Sequence, residues 1–213
     1  MRTNPFLDAW LFIIGSTDDH DKLGAFKYVM VALFLALLVA TLWIAWTSWR
    51  ADPAQRTGVH LATWFCRVLI GCMWFQGCLW KLPLPISEGF KYWTGQMEEN
   101  AAFELHRDLV ENVYLPYLHL IQPVVFLAEL SFATSLILGV AVRLFGALGV
   151  LFALHLWLGL YLHPGEWPWS YVFLAINMGL LALYAAGRSL GADALIRRHA
   201  ATSPLARVLM HVG

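Results

Sequence analysis

Glu129 is the residue whose type and place demand a chemical explanation. It stands near the middle of the apolar run 126–143, FLAELSFATSLILGVAVR. An ionisable side chain at such depth in hydrocarbon costs at least about 2.5 kcal/mol, so it must be protonated, paired or turned towards a polar interior. Further polar residues fall at comparable depths. Counted at 1.5 Å per residue from the predicted span ends, Arg67 lies at roughly 9 Å from the cytoplasmic edge, Glu129 at about 13 Å, His155 at about 16 Å, Asn177 at about 18 Å and Gln76 at about 22 Å. They come from four different spans. A polar residue facing lipid leaves its hydrogen bonds unmade, so four helices carrying such residues predict a shared polar interior.

That interior admits two readings. In one, Glu129 and Arg67 form a structural ion pair, with His155, Asn177 and Gln76 as interhelical hydrogen-bonders. In the other, the belt holds a polar headgroup such as a quinone, whose carbonyl oxygens need donors and whose reduction needs an acid or base within reach. Glu129 and His155 supply the acid–base groups there, and Arg67, Gln76, Asn177 and Lys81 the binding groups. A metal site of His119, His155, His163 and Glu129 fits by residue type, but His119 and His163 lie near the outer surface, well above the other two, and no metal is expected. Lys81, His119, His163 and Glu166 read as an outer rim, with Lys81 snorkelling to the headgroups. Cys66, Cys72 and Cys78 are spaced six apart on one predicted helix, so each step turns the side chain by roughly 240° and no two can pair.

The elements that must position these groups follow from composition. Of the 213 residues, 60% are hydrophobic and only 13% charged, with a mean hydropathy of +0.62, which excludes an ordinary soluble domain and places the chain in a lipid bilayer. No basic patch stands apart from the membrane flanks, so a nucleic-acid partner is excluded. Five apolar segments, 26–49, 61–82, 118–141, 144–162 and 169–187, approach the ~20 residues needed to cross the hydrocarbon core. Trp43, Trp46, Trp49, Trp64, Trp80, Trp167 and Trp169 at their ends read as an interfacial aromatic belt. Residues 1–25 hold a short apolar piece, 10–14, that reads as an interfacial helix rather than a cleaved signal.

Charge sets the orientation. Arg50, Arg56, Arg67, Arg143, Arg188, Arg197, Arg198 and Arg207 fall on one side, and Glu88, Glu98, Glu99, Glu104, Asp108, Glu111 and Glu166 on the other. The positive-inside rule then puts the N-terminus out and the C-terminus in, in a bacterial-type inner membrane. Between the second and third spans, 83–116 reads as an extracytoplasmic amphipathic helix, broken near Asn100, with Phe90, Trp93, Met97, Ala101, Leu105 and Leu109 on its apolar stripe. The expected fold is an all-α integral membrane protein: a four-helix transmembrane bundle over 61–196, an additional N-terminal transmembrane helix over 26–49, the insert 83–116, and a cytoplasmic tail over 197–213.

Residues 61–196 also resemble the DoxX/DoxD-type membrane proteins. The match rests on Arg67, Gly71, Gly77 and Lys81 in the second span, on Ala128-Glu129 followed by Leu138-Gly139 and Arg143, and on Ala186-Gly187-Arg188-Ser189-Leu190 with Asp193. The resemblance implies a four-helix membrane core and, by analogy with thiosulfate:quinone oxidoreductase subunits, a membrane subunit of a multi-subunit redox complex that exchanges electrons with quinone. The added N-terminal span and segment depart from the family pattern and imply attachment to something larger. No haem, flavin or dinucleotide motif is present, so the electrons of such a reaction must reach this chain from a partner subunit. The alternative function is a non-catalytic accessory subunit of a respiratory or photosynthetic membrane assembly.

Overall fold

The computed structural model describes residues 4–199 and 213, so most of the tail beyond His199, including Arg207, lies outside the described residues. Every regular element among the described residues is helical. Asn4 opens α1 (Pro5–Ile13) by accepting the Leu7 N–H at 2.8 Å, with Pro5 in the first turn, where its missing N–H costs nothing. A four-residue turn, α2 (Asp18–Asp21), leads into α3 (Phe26–Ala51). Thr57 caps α4 (Gly58–Leu79), and Ser87 caps α5 (Glu88–Glu99). Beyond the break at Asn100 come α6 (Glu104–Leu109), one π-helical turn over Val110–Tyr114, and α7 (Leu118–Leu138). The chain closes with α8 (Val142–Gly159), α9 (Trp169–Leu183) and α10 (Ala192–His199).

Four helices, α3, α4, α7 and α8, are long and apolar enough to cross a membrane. Their outward faces carry exposed Val39, Trp43, Leu127 and Leu151, as expected of helices that are apolar all round and surrounded by lipid. The fifth expected span is shorter than its sequence segment suggests. Helix α9 has 15 residues, about 22 Å of rise, and ends where Ala185 turns left-handed at φ 48°.

The bundle is built from two tightly packed pairs, α4 with α7 and α8 with α9, while α3 leans on α7. Small residues set both close approaches. Gly71 lies against Ile137 and Ala133 of α7, and Gly146 and Gly149 lie against Met178 and Ala182 around α9; a side chain at any of these positions would collide with its neighbour. By contrast α7 and α8, although consecutive, touch sparsely. Their junction is nevertheless heavily bonded. Gly139 ends α7 in the left-handed region at φ 71°, where a glycine carries no Cβ penalty. Asp193 then accepts the Ala141 and Val142 N–H groups at 2.8 and 3.2 Å, capping α8, while its own N–H donates to Gly139 O at 2.8 Å.

At the opposite end, the segment from α5 to the π-turn folds back over the bundle. Ala102 N–H donates to Leu158 O at 2.8 Å and Leu162 N–H to Asn100 O at 3.0 Å, tying the break at Asn100 to the end of α8. Met97, Val110 and Leu160 form a small apolar cluster there, separate from the main core around Phe34, Trp74, Phe75, Phe132 and Met178. Helix α1 also belongs to the main core. Phe12 packs edge-on against His20, Phe34 and Phe75, with centroids at 5.2, 5.1 and 6.4 Å.

Candidate functional site

Glu129 is paired, but with Lys81 rather than Arg67. Glu129 Oε2 lies 2.6 Å from Lys81 Nζ, and both side chains are about 95% buried. The register of the antiparallel α4–α7 pair explains the choice. Gly71 sits beside Ile137 and Ala133, and Gly77 faces Glu129, so the level of Glu129 on α4 is that of Gly77. Arg67 is ten residues, about 15 Å, away along the same helix. Lys81 is one turn beyond Gly77, and helical side chains lean towards the N-terminus, so its stem runs back to the right level. There Nζ donates to Gly77 O at 2.7 Å and sits 4.0 Å from the centroid of the Trp80 ring, a cation–π contact. Lys81 is therefore buried and does not snorkel to the headgroups.

Arg67 serves the other end of the bundle. It is completely buried, and its Nη1 donates to the carbonyls of Leu136 and, at 3.2 Å, Ile137, which are orphan acceptors in the last turn of α7. Asp193, capping α8 across the same turn, is its electrostatic counterpart. Burial nevertheless raises the Asp193 carboxyl above its ordinary value, against the lowering effect of the two backbone N–H groups and Arg67. Arg67 thus contributes neither to the exposed positive face nor to the surroundings of Glu129.

One residue holds the Lys81 loop from behind. Gln122, on α7 and fully buried, donates through Nε2 to Lys81 O and, at 3.1 Å, to Pro83 O, while its Oε1 accepts the Ser87 N–H at 2.8 Å. It links α7, the connection after α4 and the N-terminus of α5. The sequence carried a signal for it: Gln122 precedes Glu129 by seven residues, which places both on one face of a helix.

Lys81 and Glu129 lie on the wall of a cavity of about 1460 Å³ bounded by α4, α5, α7, α8 and α9. Its other walls are mainly apolar, and Trp74, Trp80, Trp93, Phe132 and Phe152 are among them. Several of these rings meet edge-on, Phe132 at 5.1 Å from Trp74 and 5.8 Å from Phe152, which makes the wall a packed surface rather than loose side chains. Trp80, expected in an interfacial belt, instead covers the ammonium. His155 reaches the same cavity from α8, its ring 4.8 Å from His106 of α6 and 5.2 Å from Tyr114. His106 Nε2 is buried with no hydrogen-bond partner, and burial lowers its pKa. At the cavity's outer end Tyr171 donates its hydroxyl to Glu166 Oε2 at 2.9 Å.

Two expected site residues do not join this group. Gln76 is exposed on the outer face of α4, because Trp74, Gly77 and Lys81 take the inward positions and residue 76 is about 100° of helical rotation from Gly77. Asn177 is exposed on α9, one position before the buried Met178, and satisfies its amide by donating to Phe173 O of its own helix at 2.7 Å. The polar belt expected from four spans is therefore narrower, comprising Lys81, Glu129 and His155. Among the described residues no three His, Cys, Asp or Glu side chains gather as a metal site. The three cysteines are free, and Cys78 donates its S–H to Trp74 O at 3.2 Å.

The chain matches no protein-family model, no curated protein and no solved structure. Its functional reading rests on the geometry of this cavity.

Proposed function

We propose that the chain is an integral membrane subunit of a redox complex, of the DoxX/DoxD type, and that its cavity accommodates a quinone. The observation that carries this reading is the position of a buried carboxylate on the wall of an apolar cavity that α4, α7 and α8, each long and apolar enough to cross a membrane, share with α5 and α9. The residues fit such a group. Trp74, Phe132 and Phe152 offer faces and edges to a flat ring, and the volume of about 1460 Å³ takes the ring with part of an isoprenoid tail. A bound quinone supplies a two-electron, two-proton couple, with electrons delivered by a partner subunit. Glu129 holds or takes up a proton at its carboxylate, Lys81 keeps that carboxylate in place, and His155 stands as a second acid–base group on the wall that α8 contributes. Burial of the pair itself strengthens the electrostatics within it.

The proposed topology is four core helices, α4, α7, α8 and α9, with α3 as the additional span and α5–α6 outside the membrane. The N-terminus is outside and the C-terminus inside a bacterial-type cytoplasmic membrane. Supporting it, the arginine-bearing connections meet at one end of the bundle: Arg198 pairs with Asp52 at 2.9 Å, and Gln55 donates to Arg188 O at 3.1 Å. The acidic helices α5 and α6 lie at the other.

The functional reading is tested by quinone reduction in purified membranes with thiosulfate as donor, comparing wild type with Glu129→Gln. Loss of a positioned acid–base group lowers the rate by about 100-fold or more. Equal rates would remove Glu129 from the mechanism and the reading with it.

A further inference from the structure

The two carboxylate oxygens of Glu129 are not equivalent. Oε2 is fully enclosed against Lys81 Nζ at 2.6 Å, in a contact without hydrogen-bond alignment, whereas Oε1, which no hydrogen bond reaches among the described residues, is not so enclosed; the residue as a whole is 3% exposed and lines the cavity. The ammonium, in contrast, is fully engaged: Glu129 Oε2 at 2.6 Å, Gly77 O at 2.7 Å and the Trp80 face at 4.0 Å surround it. The cavity wall therefore presents an acceptor to a ligand and no available donor from Lys81. The pair is also neutral overall, so an incoming anion meets a carboxylate and a cation that is already satisfied.

Resting on the reading that a quinone-type lipid occupies this cavity, we infer that the site is selective for a neutral headgroup that carries a hydroxyl donor. It holds the hydroquinone in preference to the oxidised quinone, and excludes anionic lipids. A phenolic O–H directed at Glu129 Oε1 makes a charge-assisted hydrogen bond and satisfies a buried acceptor, whereas a quinone carbonyl in the same place sets two acceptors against one another. A fatty-acid carboxylate or a phosphate adds like-charge repulsion. Glu129 is then a specificity-determining residue as well as an acid–base group.

The test is equilibrium binding to the full-length detergent-solubilised protein by thermophoresis, under anaerobic reducing conditions where needed. The probes are a decyl benzoquinol, the matching quinone, the dimethyl ether of the quinol, and oleate. The quinol is expected to bind at least about 10-fold more tightly than the quinone or the ether, a difference of one good hydrogen bond to a charged group, with no saturable binding of oleate. The quinone keeps the heavy-atom outline and lacks the donors, and the ether lacks the donors while adding two methyl groups, so a preference for quinol over both reports the donor and the comparison needs no variant. In Glu129→Leu the preference for quinol disappears and oleate binds, because Lys81 is released. Equal affinity for quinol and ether in the wild-type protein overturns the inference while leaving a quinone site intact. Saturable oleate binding as tight as that of quinol overturns the exclusion of anions. Failure of quinol and quinone alike to bind overturns both this inference and the proposed function.

Discussion

Glu129→Leu strands a positive charge. Lys81 Nζ then keeps Gly77 O at 2.7 Å and the Trp80 face, but loses the one carboxylate within ion-pair distance among the described residues, in a place where its side chain is 5% exposed. Removing one partner of a buried pair costs about 3–5 kcal/mol, because the remaining charge is left without compensation. Lys81→Met strands the carboxylate by the same reasoning and costs a similar amount, whereas Lys81→Met with Glu129→Leu removes both charges and fills the space with apolar atoms, bringing stability to within about 1 kcal/mol of wild type or above it. The assay is reversible unfolding in mixed micelles for the four proteins of the cycle, read by the fluorescence of Trp74 and Trp80 beside the pair. A coupling of about 3 kcal/mol or more is expected, since the charges lie 2.6 Å apart. Simple additivity, with the double variant as damaged as the sum of the singles, would refute the argument that the pair is an isolated, mutually compensating unit.

Gln122→Leu removes the acceptor for Ser87 N–H and the donor to Lys81 O and Pro83 O, and is expected to cost about 2–4 kcal/mol and to expose the connection after α4 to limited proteolysis, while α7 itself remains folded. His106 makes stability depend on pH. Burial lowers its folded-state pKa below 6.5, so below that value the unfolded chain binds the extra proton more readily and stability is lost as pH falls through 6.5 towards the folded value. The ring lying against it is that of His155 of α8, which supplies no carboxylate to offset the proton. His106→Gln should flatten that limb in unfolding experiments between pH 7 and pH 5; an unchanged slope would assign the dependence to other groups.

Much of the helical framework was legible because apolar run length and prolines are local properties of the chain, and Glu129 stood out because a carboxylate in such a run has few physical explanations. Its partner was not legible. Depth counted from span ends carries an error of a few residues, and which of Arg67 and Lys81, nearly four helical turns apart, stands level with Glu129 is decided only by the α4–α7 register. That register is set by Gly71 against Ile137, a long-range contact that leaves no local trace in the sequence. Gln76 and Asn177 show the complementary failure: depth alone places a residue in the membrane plane, but a single step of 100° decides whether it meets the cavity or the lipid. His106 and Gln122 were missed because each gains its role from an element distant in sequence.

The bonding around residues 135–142 has a mechanical consequence. Arg67 fastens the last turn of α7, Ser135 Oγ donates to Val140 O at 2.7 Å, and Asp193 fastens the first turn of α8, so the two helix pairs are clamped together at one end, while at the other Gln122 ties α7, and the Ala102–Leu158 and Leu162–Asn100 bonds tie α8, to the segment that begins at α5. A relative rotation of the two pairs about Gly139 would have to strain those far-end bonds. A rotation of about 5° there displaces the far end of a 20-residue, 30 Å helix by about 2.6 Å, close to the thickness of an aromatic ring. Any widening of the cavity would thus be resisted at the bonds beneath α5 and α6, at the level of Trp93 and Tyr171, and would be smallest at Phe132 and Phe145, nearest the clamp.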